Sequence, residues 1–328
     1  MRYKDMDNKL NTQIKLPHIA KNMANEEYHR GDWQREFISS TTLKNMLVSP
    51  KYFKYALTNP KEISLAARQQ GSIYHSMLES ICKNGYIEGI YDEFFVFEAP
   101  VNPKTGEAYG VNTKAYKEEY EFQMLANEGK TPISQEEINV AKAMVTALLN
   151  DCGNTTQMVE TFLQNGQPEV SFFVEYEGAK FKFRPDILTA TKIVDWKSIA
   201  ADDLKEDTIA RQISKMGYGF SAAFYQFFAH QVTGKWFDFY WVFQQKTPPY
   251  DAVVVSAADW AYSPDWDRQT AEKGPSAIEF ENVLEQYTKC NREGYFPGAE
   301  AFVPPTVGDY RIMFTLPNYK RNSVINFY

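Results

Sequence analysis

The stretch FRPDILTATKIVDWKS, Phe183 to Ser198, constrains the fold more than any other part of this 328-residue chain. Two runs rich in apolar and β-branched residues flank a Thr-Ala-Thr segment, so a hairpin turning through Thr189 to Thr191 is expected. Side chains alternate faces along a strand. In the first strand Lys180, Lys182, Arg184 and Asp186 are expected on one face, with Phe181, Phe183, Pro185 and Ile187 on the other. In the second, Ile193, Asp195 and Lys197 share a face while Val194 and Trp196 point away. Asp195 and Lys197 then stand about 6–7 Å apart by strand rise. Asp186, on the neighbouring strand, falls within reach of both.

Two carboxylates and one ammonium on a half-buried sheet need a physical reason. Buried carboxylates are costly unless they are paired or bound to metal, and one lysine cannot neutralise two of them. A divalent cation can. Magnesium favours carboxylate oxygens and retained waters, and a lysine beside it can hold and polarise an attacking water, which is the equipment of metal-assisted phosphodiester hydrolysis. An Asp-x-Lys triplet alone ordinarily marks a solvated surface. The Pro-Asp that opens the hairpin, nine residues before Asp195, sets this one apart.

Bulk properties narrow the function classes. The composition, 44% hydrophobic and 23% charged, is that of a soluble globular protein with a sizeable core. No apolar run approaches a membrane span, and the polar start MRYKDMDNKLNTQIKLPHIA lacks a signal-peptide hydrophobic region. A cytoplasmic location with no membrane partner is the expectation. Cys82, Cys152 and Cys290 are far apart and form no CxxC pair, which removes support for zinc ribbons, iron–sulfur clusters and a disulfide framework. The net charge of −7 disfavours binding of a polyanion by the whole surface. A nucleic-acid substrate would need a local basic lining, and residues 180–215 supply lysines and arginines interleaved with six acids.

Along the chain, residues 1–24 read as a flexible arm. Ser39 or Ser40 is expected to cap a short helix, and Pro50 to open another that ends at Asn59-Pro60. SLAARQQGSIYHSMLESICKNG is helical by pattern and stops at Gly85; Gly71, His75 and Glu79 share one of its faces. Taken alone, His75 there is an ordinary interfacial histidine. SQEEINVAKAMVTALLN forms an amphipathic helix with Ser134 and Glu137 in a capping box. Strands follow over 168–199, then one helix over about 207–232, a second hairpin turning at Thr247-Pro248-Pro249, and a helix ending at Gly294. The segment 299–328 is an irregular aromatic tail.

These motifs, in this order, resemble the PD-(D/E)xK nucleases, and within them the RecE-like (exonuclease VIII) exonucleases of phages and prophages. Pro185-Asp186 matches the PD element and Asp195-Trp196-Lys197 the DxK element. GSIYHSMLE resembles the Gly-x-x-x-His-x-x-x-Glu helix, and EEYHRGDWQREFISSTTLKNMLVSPKYFKY the family's N-terminal segment. MGYGFSAAFYQFF resembles its Gly-Tyr-x-x-Gln-Ala-Ala-x-Tyr helix, while KTPPYDAVVV and YTKCNREGYFPG resemble the last strands and helix. The similarity spans residues 25–298, read as one nuclease domain. It implies an α/β (α+β) fold with a restriction-endonuclease-like core, a mixed central sheet flanked by helices.

The resemblance also implies roles. Asp186 and Asp195 would ligate magnesium, with manganese able to substitute, and the Trp196 carbonyl and His75 would complete the set. Lys197 would orient or help deprotonate the water and stabilise charge on the phosphate. Glu169 stands where the family often has a glutamate ahead of the hairpin, and a strand-end salt bridge suits it equally. Tyr225 matches the tyrosine of the later helix, whose role is to touch DNA or to brace the lysine, and with Arg184, Lys182 and Gln226 it makes the expected DNA-contacting set. Ser221 departs from the pattern, which has glutamine there. The implied activity is exonuclease digestion of linear double-stranded DNA from 5′ to 3′, leaving 3′ overhangs for recombination. The implied partners are DNA ends, further copies of the chain in a ring, and a single-strand annealing protein. An endonuclease or single-strand nuclease on the same fold, or a catalytically weak DNA-binding subunit, are the alternatives.

Overall fold

A computed structural model of the chain describes residues 15–298 except 30–32, 34–35, 60–64 and 152. Side chains are described over the same residues apart from 65–70. Residues 1–14 of the expected arm and the tail 299–328 lie outside the described residues. Residues 18–20 do not belong to an arm. His18–Ala20 forms strand β1, paired antiparallel with a later strand through Ile19 and Phe172.

Helices α1 (Asn25–Tyr28) and α2 (Ser40–Leu43) come first, followed by a 3₁₀ turn over Lys44–Leu47. Ser39 caps α2 by accepting from the Thr42 N–H, and Ser49 caps α3 (Pro50–Thr58) by accepting from the Tyr52 N–H. The long α4 (Leu65–Asn84) stops at Gly85, whose φ of +81° suits glycine. A small parallel pair, β2 (Phe94–Val96) and β3 (Thr131–Ile133), encloses the polar helix α5 (Lys114–Ala126) in sequence. The capping box of α6 (Gln135–Asn150) is present: Ser134 Oγ accepts from the Glu137 N–H, and Glu137 Oε2 accepts from the Ser134 N–H. Helix α7 (Asn154–Asn165) follows.

The centre of the fold is two sheets that share one bent hairpin. Its arms are β4 (Gln167–Pro168) with β5 (Ser171–Tyr176), and β6 (Ala179–Phe183) with β7 (Ile187–Leu188). Strands β5 and β6 join β1 in one sheet. Strands β4 and β7 join β8 (Lys192–Ile199), β9 (Asp238–Gln245) and β10 (Ala252–Ser256) in the other, in the order β10-β9-β8-β7-β4. The β8–β9 pair is parallel and the rest of that sheet antiparallel, so the central sheet is mixed.

Helices cover both faces of this sheet. Val194, Trp196 and Val242 pack with α4, α6 and α7 residues on one side. Ile193, Ile199, Trp241 and Phe243 pack on the other, with α8 (Glu206–Met216), α9 (Tyr218–Thr233) and α10 (Pro275–Glu293). The period-two reading of β8 therefore holds residue by residue. A single helix over 207–232 does not, because Gly217 adopts φ +61° and ends α8 with its N–H donating to the Ile213 and Ser214 carbonyls. The hairpin β11 (Tyr262–Asp265) and β12 (Thr270–Lys273) completes the described strands.

Candidate active site

The expected strand from Lys180 to Leu188 is broken, and the break builds the site. Pro185 has no N–H to continue a ladder, and the chain leaves one sheet at Phe183 and enters the other at Ile187. The opposite arm breaks at the same level, where Glu169 takes a left-handed φ of +52°, a conformation costing a non-glycine residue about 1 kcal/mol. The Glu169 N–H donates to the Asp186 carbonyl across the bend at 3.2 Å. Asp186 thereby parts from the face that carries Lys182 and turns towards β8.

Three independent features then converge on Asp186. Its Oδ2 accepts the Trp196 N–H at 2.6 Å. Its Oδ1 lies 3.5 Å from His75 Nδ1, brought there by α4. The pairing of Ile187 with Val194 sets Asp186 opposite Asp195. Lys197, two residues further along β8, forms an ion pair with Asp195 Oδ2. Its Nζ also donates to the Trp196 carbonyl at 3.4 Å and lies 5.0 Å above the Tyr218 ring.

The surroundings treat the two aspartates differently. Burial works against the charge of both. For Asp186, His75, Lys197 and the Trp196 N–H outweigh that penalty and hold its carboxyl below the usual range. For Asp195, burial is reinforced by the charge of Asp186, and Lys197 only partly offsets them, so its carboxyl is pushed up. Burial would likewise lower the Lys197 ammonium, but Asp195 and Asp186 together hold it above the ordinary lysine value. Glu169 is pushed up to about 8, by burial first and then by Asp186 and Glu79, although Arg184 lies 3.4 Å away. The site thus carries more carboxylate than its cations balance.

That surplus is the property a hard cation would relieve, and the donors suit one: two carboxylates, a backbone carbonyl and an imidazole. Among the described residues, however, no three His, Cys, Asp or Glu side chains converge closely enough to enclose an ion by themselves. Both oxygens of Asp186 are already engaged, Oδ2 by the Trp196 N–H and Oδ1 by His75, and Asp195 Oδ2 is engaged by Lys197.

The expected DNA contacts divide. Tyr225 is half-buried, with its ring 5.1 Å from that of Phe183, and its hydroxyl feels the charges of Asp195, Asp186 and Glu169. The other three are corrected by the structure. Gln226 is fully buried; its amide donates to the Phe237 and Tyr262 carbonyls and accepts from the Tyr262 N–H, leaving nothing for DNA. Lys182 is buried, donating to the Tyr28 carbonyl at 2.6 Å. Arg184 is buried against Ser171, Glu169 and the Met23 carbonyl, with its guanidinium 4.0 Å from the Tyr28 ring centroid. Both cations fasten the N-terminal segment to β6 instead of facing outwards. The alternation of the strand announced their common face, but not that residues 23–28 would cover it.

Other neighbours of the site had weaker signals. Glu79 shares the His75 face of α4 and lies near enough to Glu169 to raise its carboxyl. Tyr218 belongs to the Gly-Tyr pair of the later helix motif, and its ring supports Lys197. Lys44 stands in a segment whose pattern announced only a helix cap. Gly71 faces Ser198, whose Oγ would be 3.9 Å from an added Cβ, so no close backbone approach requires a glycine beside His75.

The mixed sheet, the bend that displays a Pro-Asp pair, and the Asp-x-Lys strand beside it define a PD-(D/E)xK-type domain. The family model described as a PDDEXK-like domain of unknown function (DUF3799) matches residues 39–300, and the chain belongs to that family. No curated protein matches the chain. A crystal structure from Eubacterium rectale, described as a "Putative exonuclease", is similar in fold, with a TM-score of 0.50 and 16% sequence identity over 93% of this chain and 99% of that one. No helix among the described residues is long and apolar enough to cross a membrane.

Proposed function

We propose that the chain is a metal-dependent deoxyribonuclease: an exonuclease that digests one strand of linear double-stranded DNA from 5′ to 3′ and leaves 3′ overhangs for recombination. The observation that carries this reading is the bend that brings Asp186 opposite Asp195, whose carboxylate is ion-paired with Lys197 on the same strand β8. The description of the similar crystal structure and the resemblance of the ordered motifs to RecE-like exonucleases favour the exonuclease form.

Magnesium or manganese, held by Asp186, Asp195, the Trp196 carbonyl and His75, would supply Lewis-acid polarisation of the phosphate and a more acidic water. The chain's own residues do the rest. Lys197 holds the attacking water and donates to the charge that builds on the phosphate oxygens. The water oxygen adds to phosphorus and gives up a proton to solvent, one bridging P–O bond breaks, and the departing oxygen takes a proton from solvent. The Trp196 N–H and His75 hold the Asp186 carboxylate in place opposite Asp195, and Tyr225 presents a hydroxyl beside the carboxylates. Arg184 positions Glu169 from beneath. Because the chain is acidic overall, DNA must be admitted by a local basic surface, and a ring of copies acting in the host cytoplasm would provide one around the duplex.

The test is digestion of linear, nicked and circular duplexes labelled at either the 5′ or the 3′ end, with and without magnesium. Magnesium-dependent loss of the 5′ label from linear DNA, with circles left intact, is expected. Cutting of closed circles would replace the exonuclease reading with an endonuclease, and no digestion of any substrate would remove the nuclease reading altogether.

A further inference from the structure

Lys44 begins the 3₁₀ turn after α2 and reaches across to the break between α8 and α9. Its Nζ donates to the Met216 carbonyl at 3.3 Å and the Gly217 carbonyl at 3.5 Å. Gly217 leaves room for it: a Cβ there would come within 3.1 Å of Lys44 Cδ. A lysine on the last carbonyls of a helix is a familiar cap, and capping alone would account for these two bonds. It does not account for the rest of the surroundings.

The next residue, Tyr218, carries the Lys197 ammonium on its ring, so the Gly-Tyr pair touches both ammonium groups, Lys44 through the Gly217 carbonyl and Lys197 through the Tyr218 ring, and Lys44 lies near enough to feel the charges of Lys197 and Asp195. Lys197 has Asp195 as its carboxylate partner. Lys44, among the described residues, has no carboxylate within ion-pair distance, only the two carbonyl oxygens. Burial and then repulsion from Lys197 lower its ammonium to about 8, and attraction to Asp195 offsets only part of this. A half-buried cation that feels the charge of another cation and has no carboxylate partner is unfavourable unless an anion joins it. In a nuclease the anion available at that edge is the DNA backbone.

We propose that Lys44 is a DNA-binding residue of this site, its ammonium taking a non-bridging oxygen of a backbone phosphate on the Lys197 side. This rests on the nuclease reading above. It differs from the Lys197 role in that only charge is required, so arginine can serve.

The experiment measures duplex DNA affinity of the full chain in calcium, across a salt series, for wild type, Lys44→Gln, Lys44→Met and Lys44→Arg. Glutamine keeps an amide donor for the helix carbonyls, and methionine keeps the aliphatic stem against Gly217, so at least one neutral variant retains the packing. Each phosphate contact contributes about 0.9 to the slope of log affinity against log salt. The neutral variants should bind with a slope shallower by about one contact, and Lys44→Arg should keep the wild-type slope. Loss of a helix cap lowers the melting temperature but releases no counterions, so it cannot change the slope. A wild-type slope in the neutral variants would overturn the proposal, as would an arginine variant that matches them instead of wild type. Magnesium-dependent cleavage by wild type is measured alongside. If wild type cleaves DNA while the neutral variants keep its slope, only the Lys44 assignment falls; if wild type neither binds nor cleaves, the nuclease reading falls and takes this one with it.

Discussion

Asp186 and Asp195 face one another, yet the protein stabilises the charge of one and resists the charge of the other. Each changed to asparagine should abolish magnesium-dependent cleavage. Their effects on the metal-free fold should have opposite signs. Asp186→Asn weakens the interaction with His75 and the Trp196 N–H, and should lower the melting temperature. Asp195→Asn removes a repelled carboxylate while Asp186 remains to balance Lys197, and should raise it by about 2 °C. Scanning calorimetry with chelator present decides this, and equal destabilisation by both changes would contradict the account. Glu169 adds a pH dependence. Its folded pKa of about 8 exceeds the unfolded value of about 4.3, so between those values the folded chain keeps a proton that the unfolded chain has released. Stability from this group is therefore complete below about pH 4 and declines as pH rises towards 8. Glu169→Gln should flatten that decline in metal-free melts, and an unaltered profile would show that Glu169 ionises normally. Lys197 is the chemical test. If it positions the water, Lys197→Arg should fail as Lys197→Ala does, because a planar guanidinium presents its donors differently and holds its proton more tightly. Both should lose about two orders of magnitude or more in single-turnover cleavage while still binding DNA in calcium. Near-wild-type cleavage by the arginine variant would reduce the lysine to a counter-charge.

At the scale of elements, the site depends on interruptions of regular structure. Pro185 and the left-handed Glu169 break the two arms of one hairpin at the same level, and Gly217 breaks what would otherwise be one long helix. Local pattern placed the elements on either side of each break correctly and missed the breaks themselves. Alternation continues formally through Arg184-Pro185-Asp186, and helical spacing continues through Gly217, so neither period reports a change of direction. The two glycines singled out near the site separate these ideas. Gly217→Ala must adopt φ +61° and crowd Lys44, and should cost about 1–2 kcal/mol. Gly71→Ala meets only Ser198 Oγ at 3.9 Å and should be neutral or stabilising, by up to about 1 kcal/mol of helix propensity. Urea unfolding of both variants checks the pair; a destabilising Gly71→Ala would mean that α4 and β8 need an approach closer than the one described.

At the scale of the whole molecule, the proposed action along DNA would require an acidic chain to concentrate its positive surface where the duplex passes. Closure into a homo-oligomeric ring would do this, and light scattering at micromolar concentration should give a mass several times that of one chain. A monomeric mass together with undiminished processive digestion would refute it. The sequence by itself determined much of the site: the Asp195-Lys197 face of β8, the turn at Thr189–Thr191 and the His75–Glu79 face of α4 follow from short-range periodicity and local chemistry, and the PD-(D/E)xK character from the resemblance of the ordered motifs to that family. Only the tertiary structure decided which charges stay at the site. Lys182 and Arg184 were legible as neighbours on one strand, but the N-terminal segment covers them; Gln226 is satisfied by two distant backbone segments; and Lys44, 153 positions before Lys197 in the sequence, arrives beside it. The reason is physical. Periodicity assigns a side chain to a face, whereas burial, hydrogen-bond satisfaction and the pairing of charges depend on whatever the rest of the chain lays against that face.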